Sequence, residues 1–501
     1  MKIVIVGGGS SGWIAATTLL AVPNCKITVI ESPNIPKIGV GESTVDGFIN
    51  WMNLMGINPE DMMKDTDATY KLAIRFEDFL KKNHEFFYPF GAFGIDKTHY
   101  HTWAKRRFID PDSNPPFADS FFPNMALVRT NKMKKDSKTF QHNCHALHFD
   151  AAKFGPWLWE NYCKPRGVNR IDLEVKSVEV GENGVEWLEL IDGHKITGDL
   201  YIDCTGFKSM LLEGALGVPF LDYSNVIPNN IAWATHMPYI DKEKELVSFT
   251  NCKAVDNGWI WNIPLWSRIG AGYVYSDKFV TDEAALEEFK SHIRKTGRDP
   301  ETLEYKKIVM RNGIHEKIWH KNVVGIGLAA GFIEPLESTG LWFTHEFAYT
   351  LLRILFRGAH PKQHDRDMFN TMIKFQWDEM VKFICQHYAF SARTDTEYWR
   401  NIAKLDFPID KNLCIASIEQ MDRYYTGWPG IHAILAGLEY HVYDETYFWQ
   451  RVYPKTQDWK KIYKKEFSEL DRGIKSWTEE ASRAPSLLHV LSKIHDNKLS
   501  E

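Results

Sequence analysis

Four sets of residues in this chain have the types and spacing to do chemistry. The first is Gly7-x-Gly9-x-x-Gly12, which follows the β-branched run Ile3 to Val6 and opens the helical stretch Trp13 to Leu20. A second strand, Lys26 to Ile30, then ends on Glu31. Such a strand–loop–helix–strand unit suits a dinucleotide. Gly7 permits the tight turn, Gly9 lets the backbone approach a pyrophosphate, and Gly12 allows close helix–strand packing. N–H groups at the helix start, around Ser10 and Ser11, meet the phosphate charge. Glu31 accepts from ribose hydroxyls and disfavours a 2′-phosphate. The second is Lys71, within Thr69 to Phe76, where alternation puts Tyr70, Leu72, Ile74 and Phe76 on one face of a strand. Lys71 shares the other face with Ala73 and Arg75, and on spacing alone it is the solvent-facing residue of a half-buried strand. The third is the pair Glu334 and Glu337, in an acid-rich loop entering a helix, where carboxylates stabilise the helix start by ~0.3–1 kcal/mol. The fourth is His142-x-Cys144-His145-x-x-His148. Zinc sites separate paired ligands by a longer arm, so no metal is expected there.

The elements that must position these residues follow from hydrophobic period. Arg170 to Val180 and Glu186 to Ile191 read as alternating strands, and Leu200 to Gly206 as a buried strand ending on a polar turn. Strands continue over 228–275, a helix over Ala284 to Lys295, a strand over 304–311 and a short one over Val323 to Ile326. A helix begins near Leu341. Beyond about 360, Phe369, Met372, Ile373, Trp377, Met380, Val381, Ile384 and Tyr388 recur at steps of three and four, an amphipathic helix. Leu487 to Ile494 forms the last such segment. The expected organisation is a mixed α/β domain over 1–365 with a helical subdomain over 366–501.

Composition narrows the function classes. The 501 residues carry a net charge of −5 with 60 basic and 65 acidic side chains, which argues against a nucleic-acid binder needing a concentrated basic face. A 44 % hydrophobic content fits a globular protein with a sizeable core. Aromatic residues reach 14 %, enough for ring-filled helix seams and for a pocket around a flat substrate. Seven cysteines without a CxxC suit a reducing compartment. Apolar runs fall short of the ~20 residues of a membrane helix, and Met1-Lys2 leads straight into a strand, so the expected location is cytoplasmic.

The glycine motif alone does not decide between NAD and FAD. Its place within the first dozen residues favours FAD, as do two later strand-to-loop junctions, Asp203 to Phe207 and Gly325 to Gly331. Asp203 and Gly327 are the cofactor contacts expected there. A second nucleotide motif for a nicotinamide is not visible.

Three further stretches complete a pattern: Pro36-Lys37-Ile38-Gly39-Val40-Gly41-Glu42-Ser43-Thr44, Trp259-Ile260-Trp261-Asn262-Ile263-Pro264, and Phe332-Ile333-Glu334-Pro335-Leu336-Glu337-Ser338-Thr339-Gly340. With the N-terminal glycine loop they resemble the FAD-dependent halogenases of the tryptophan-halogenase family, from residue 1 to about 440. The resemblance implies an FAD-binding fold like that of glutathione reductase and p-hydroxybenzoate hydroxylase. It also implies a two-component system in which a separate flavin reductase supplies FADH2, and oxygen with chloride, bromide or iodide yields hypohalous acid. Lys71 then matches the lysine that holds hypohalous acid, by hydrogen bond or as a haloamine, and aims the halogen at carbon. Glu337 matches the acid that polarises this species and helps the ring intermediate lose its proton. Glu334 is better read as structural. Thr339 and Gly340 match the halide-binding pair, whose backbone N–H groups form an anion nest. Gly39, Val40, Gly41 and Glu42 match a strap touching flavin and active site. Trp259 and Trp261 match a wall between flavin and organic substrate. His99, His101 and Trp103 fall where the family places substrate-sandwiching rings.

One departure bears on substrate. Free-tryptophan halogenases carry a Tyr-Tyr pair just before an Ala-Gly-Leu, whereas Ile431-His432 precedes Ala436-Gly437-Leu438 here. Two hydroxyls that would help hold the amino-acid end are absent, so a simple indole or a phenol becomes at least as good an expectation as tryptophan. Two alternatives stay open at this point: a single-component FAD/NAD(P)H aromatic monooxygenase, and a catalytically silent flavin-binding protein. A homo-oligomer and a carrier-protein partner also stay open.

Overall fold

The computed structural model describes residues 1–35, 42–91, 97–135, 137, 139–140, 144–358, 361–409, 430–440 and 458–496. The chain forms two compact units, each assembled from three stretches. Gly39, Val40, Gly41 and His142 lie outside the described residues.

The first unit comprises Met1–Ala68, Leu147–His236 and Glu304–Asp378. Its centre is a six-stranded sheet in the order Trp319–His320, Val323–Gly325, Leu200–Asp203, Lys2–Val6, Lys26–Ile30, Asn169–Ile171. All neighbours run parallel except the first pair, and Val4 aligns with Tyr201 on one side and Thr28 on the other. A parallel sheet is covered on both faces, which is why these strands are apolar runs and not alternating ones. Val4, Val6, Tyr201, Leu211, Leu212 and Val323 form one core cluster. The helix Ser10–Leu19 is buried from Gly12 onward, packed on the helices Ala151–Leu158 and Gly340–Leu355. An antiparallel ribbon, Val175–Gly181 with Gly184–Leu190 and Lys195–Ile196, and a three-stranded sheet, Phe220–Asp222 with Gly313–His315 and Gly331–Phe332, also belong to the unit.

The second unit comprises Thr69–Ala146, Met237–Leu303 and Glu379–Glu501. Five strands lie in the order Ile269–Tyr275, Gly258–Pro264, Phe249–Ala254, Ala73–Glu77, Glu85–Pro89. Only the pair Phe249–Ala254 with Ala73–Glu77 is parallel. The helix Asp282–Lys295 is capped by Thr281, whose hydroxyl accepts from the Ala284 N–H. It carries Asp282 and Glu283 in its first turn and Arg294 and Lys295 in its last, matching its dipole. Every described element after Phe332 is helical, including Gln363–Ala389 and Leu487–His495. Among the described residues no helix is long and apolar enough to cross a membrane.

One expectation needs correcting. Thr69 to Phe76 is not a single strand with a wet face. It divides at Leu72 into Thr69–Lys71 and Ala73–Glu77. The Leu72 N–H donates to the Ser248 carbonyl at 2.6 Å, and its carbonyl accepts from the Phe90 N–H at 2.9 Å. Lys71 and Ala73 are both buried, because further chain covers the face that alternation alone assigns to water.

Candidate active site

The glycine loop is built by close backbone approach. Gly7 has φ +112° and its N–H donates to the Ile30 carbonyl at 2.9 Å. A Cβ on Gly12 would sit 1.8 Å from the Gly7 carbonyl oxygen, whereas one on Gly9 would meet nothing within 4 Å. The chain therefore folds tightly on itself at Gly12 and leaves an open surface at Gly9, the arrangement a pyrophosphate needs. Ser10 and Ser11 begin the helix Ser10–Leu19, with the Ser10 hydroxyl on the Ala151 carbonyl. Glu31 is buried against Gly8, with an Arg170 Nη2 3.4 Å from its Oε2. Gly327 turns with φ +71° directly over the Ser11 hydroxyl, bringing the later junction to the same helix start. These residues fit an FAD: an open glycine edge, a helix N-terminus and an acid at the end of the second strand.

Asp203 contributes differently from a direct ligand. Its Oδ1 accepts from the Thr205 N–H and hydroxyl, and its Oδ2 from the N–H groups of Leu211 and Leu212 at 2.7 and 2.9 Å. Burial pushes its carboxyl upward against these hydrogen bonds. The carboxylate is spent on the chain's own donors, so Asp203 shapes the junction loop through them. Glu42 aligns with Phe149 and Ser43 with His148 in an antiparallel pairing.

Lys71 belongs to the second unit and is 0 % exposed. Its Nζ lies 5.0 Å from the centre of the Phe90 ring. The strand bearing it is tied to the WxWxIP strand, since the Thr69 hydroxyl donates to the Pro264 carbonyl at 2.6 Å. Trp259 and Trp261 lie side by side on that strand with ring centres 6.1 Å apart, and both are buried. Trp261 lies flat on the backbone of Gly272, its partner on the next strand.

Glu337 belongs to the first unit and is 2 % exposed. It sits in a tight turn before the helix Gly340–Leu355. The Leu336 N–H donates to the Glu334 carbonyl, the Ser338 N–H to the Pro335 carbonyl, and Ser338 takes φ +60°. Thr339 is the residue before the helix, and Gly340 opens it. The first N–H groups of a helix have no intrahelical acceptor and point outward together, which suits a small anion. Glu334 is fully buried, with its Oε2 accepting from Asn229 Nδ2 at 2.8 Å. Five residues into the helix, His345 stacks on Trp51, and burial pushes its imidazole down to about 3.

The expected substrate residues fall in the second unit. Trp103 and His432 share a neighbour, Tyr100, whose ring lies 6.0 and 6.2 Å from theirs, and Phe117 packs on both Tyr100 and Trp103. Trp103 Nε1 donates to the Pro115 carbonyl. Ile431 is buried beside His432 at the start of the helix Ile431–Gly437. The His101 ring meets Tyr100 edge-on, and His99 packs edge-on against Phe121.

Residues 2–460 match the sequence profile of the tryptophan halogenases. The chain belongs to the tryptophan halogenase family. The 7-chloro-L-tryptophan 6-halogenase KtzR of Kutzneria sp. (strain 744) is 34 % identical over 460 residues, covering 85 % of this chain and 88 % of KtzR. Among solved structures, VirX1 in its apo form superposes with a TM-score of 0.89 at 34 % identity, over 99 % of both chains. BrvH, a flavin-dependent halogenase from Brevundimonas sp. BAL3, gives 0.82 at 30 % identity, again over 99 % of each. This halogenase is therefore a flavin-dependent oxidoreductase that acts on an aromatic substrate, with a halide as co-substrate.

Sequence reasoning missed several residues that surround the expected ones within each unit. Gly8 makes room for the Glu31 carboxyl, Arg170 approaches Glu31 from a third strand, and Tyr100 and Phe117 join Trp103 to His432. The high aromatic content was the one signal available for the rings. Among the described residues, no three His, Cys, Asp or Glu side chains converge as a metal site. His145 packs edge-on against Tyr70, and Cys144 lies against Gly91.

Proposed function

We propose that the chain converts FADH2, oxygen and halide into hypohalous acid and uses Lys71 and Glu337 to place the halogen on an electron-rich, uncharged arene such as an indole or a phenol. The observation that carries this reading is the complete burial of Lys71. An ammonium away from water costs several kcal/mol and is seldom retained without a task. When bound, the reduced flavin supplies the two electrons that activate oxygen toward halide.

The chain's own residues would do the rest. Gly7, Gly9, Gly12 and Glu31 hold the adenosine diphosphate portion, and the strap at 39–42 senses it. The N–H groups at Thr339 and Gly340 receive chloride, bromide or iodide. A Lys71 N–H donates to the oxygen of hypohalous acid. As the carbon–halogen bond forms, the oxygen–halogen bond breaks and the departing hydroxide takes a proton to become water. Glu337 accepts the proton that the ring loses, so one arene and one hypohalous acid give one haloarene and one water. Trp259 and Trp261 keep organic molecules from the flavin edge. Ile431 and His432 offer an apolar wall and an imidazole where tryptophan binders place two phenols, which supports a substrate without an amino-acid end.

Mass spectrometry of an aromatic panel incubated with a flavin reductase and each halide in turn tests the reading. Mono-halogenated indoles or phenols that vanish in Lys71→Ala are expected. A product formed equally by wild type and Lys71→Ala would refute the relay, and no product from either would favour a silent flavin protein.

A further inference from the structure

Asn312 and Asn229 lie far from Glu337 in sequence, and neither belongs to a chemical motif. Both are nevertheless buried in the first unit. Asn312 Oδ1 accepts from the Glu334 N–H at 2.8 Å, while its Nδ2 donates to the carbonyls of Ile227 and Asn229 at 3.2 and 2.5 Å. Asn229 Nδ2 in turn donates to Glu334 Oε2. Glu334 is thus gripped by main chain and side chain three residues before Glu337, at the point where the turn begins. The turn itself includes Ser338 in the left-handed region, a strained conformation for a non-glycine residue that persists only where its surroundings hold it.

We propose that Asn229, Asn312 and Glu334 form a positioning clamp that fixes where the Glu337 carboxylate points. The clamp rests on the reading of Glu337 as the group that receives the ring proton. Glu334 acts as an acceptor for Asn229 and handles no proton itself. Its far end is braced by the strand following Asn312, where the N–H and Nδ1 of His315 both approach the Ala330 carbonyl, at 3.0 and 3.1 Å. The connection from the Gly327 loop to the Glu337 turn is therefore secured at both ends.

The test compares Glu334→Ala, Glu334→Gln, Asn229→Ala and Glu337→Gln in the full chain, with indole bromination, flavin affinity and melting temperature measured for each. A misplaced catalytic group loses on the order of a hundredfold, so Glu334→Ala and Asn229→Ala should lower kcat by about ten- to a hundredfold while flavin affinity and the indole KM stay near wild type. Glu334→Gln keeps an acceptor for Asn229 and should recover most of the rate. Wild-type kcat in Glu334→Ala would overturn the clamp, as would a Glu334→Gln variant as impaired as Glu334→Ala, because charge and not placement would then matter. If an alanine variant fails to fold, the rate of Glu334→Gln against wild type decides. Full activity in Glu337→Gln would instead remove the underlying reading, whatever the clamp variants do.

Discussion

Lys71 and Glu337 are both buried ionisable side chains, yet their surroundings hold them in opposite ways. Glu337 sits in a turn laced by main-chain hydrogen bonds, with a buried amide–carboxylate network three residues upstream. Lys71 sits on a short strand of its own, Thr69–Lys71, with its Nζ beside the ring of Phe90. A carboxylate in a polar scaffold depends on where it is aimed. An ammonium held beside a ring depends on being there at all, and taking it out of water carries a cost.

The difference is broken most directly at Lys71. Lys71→Met keeps the length of the side chain and removes the charge, so we expect arene halogenation to fall by more than about a thousandfold while the melting temperature stays level or rises. A lower melting temperature in Lys71→Met would show that the charge stabilises its strand. Glu337→Gln should come next, with kcat reduced by about a hundredfold and the flavin-binding isotherm unchanged; a shifted isotherm would tie Glu337 to the cofactor instead.

A smaller effect separates the two regions by pH. An unfolded histidine titrates near 6.5, whereas buried His345 is held down to about 3. Between those values the unfolded chain binds the extra proton, so stability is complete above about pH 6.5 and declines as pH falls, by up to about 1.4 kcal/mol per unit. Denaturant melts of wild type and His345→Phe across pH 7 to 4 should show a shallower slope in the variant. Parallel slopes would contradict this assignment. The smallest effect is at Ser338, where Ser338→Gly relieves the left-handed strain but loosens the unfolded chain. Stability should change by less than about 1 kcal/mol, and a larger loss would mean that the Ser338 side chain supports the turn.

How much of this was legible in the sequence depended on distance along the chain. The glycine loop and its flanking strands occupy some thirty consecutive residues, and each step of that unit is fixed by local geometry, so Ile3 to Glu31 read correctly. The helix entering at Gly340 and the strand at Val323 were legible for the same reason. Lys71 was misjudged by period alone. Alternation separates the faces of a strand but does not say what covers the second face, and the strand breaks at Leu72 where Ser248 and Phe90 supply its hydrogen bonds. Asn229 and Asn312 were invisible because the clamp joins residues 83 and 105 positions apart. Asp203 read as a cofactor contact from its place at a strand end, and the hydrogen bonds its oxygens accept from Thr205, Leu211 and Leu212 were not legible there.

On the proposed function, Lys71 directs an oxidant made elsewhere in the enzyme. The decisive measurement is the fate of that oxidant in Lys71→Met, supplied with a flavin reductase, oxygen and bromide, in the presence of indole and of a 1,3-diketone that scavenges free hypobromous acid. With the diketone in large excess, it should be brominated and brominated indole should be absent. Brominated indole at the wild-type rate, with the diketone untouched, would contradict it.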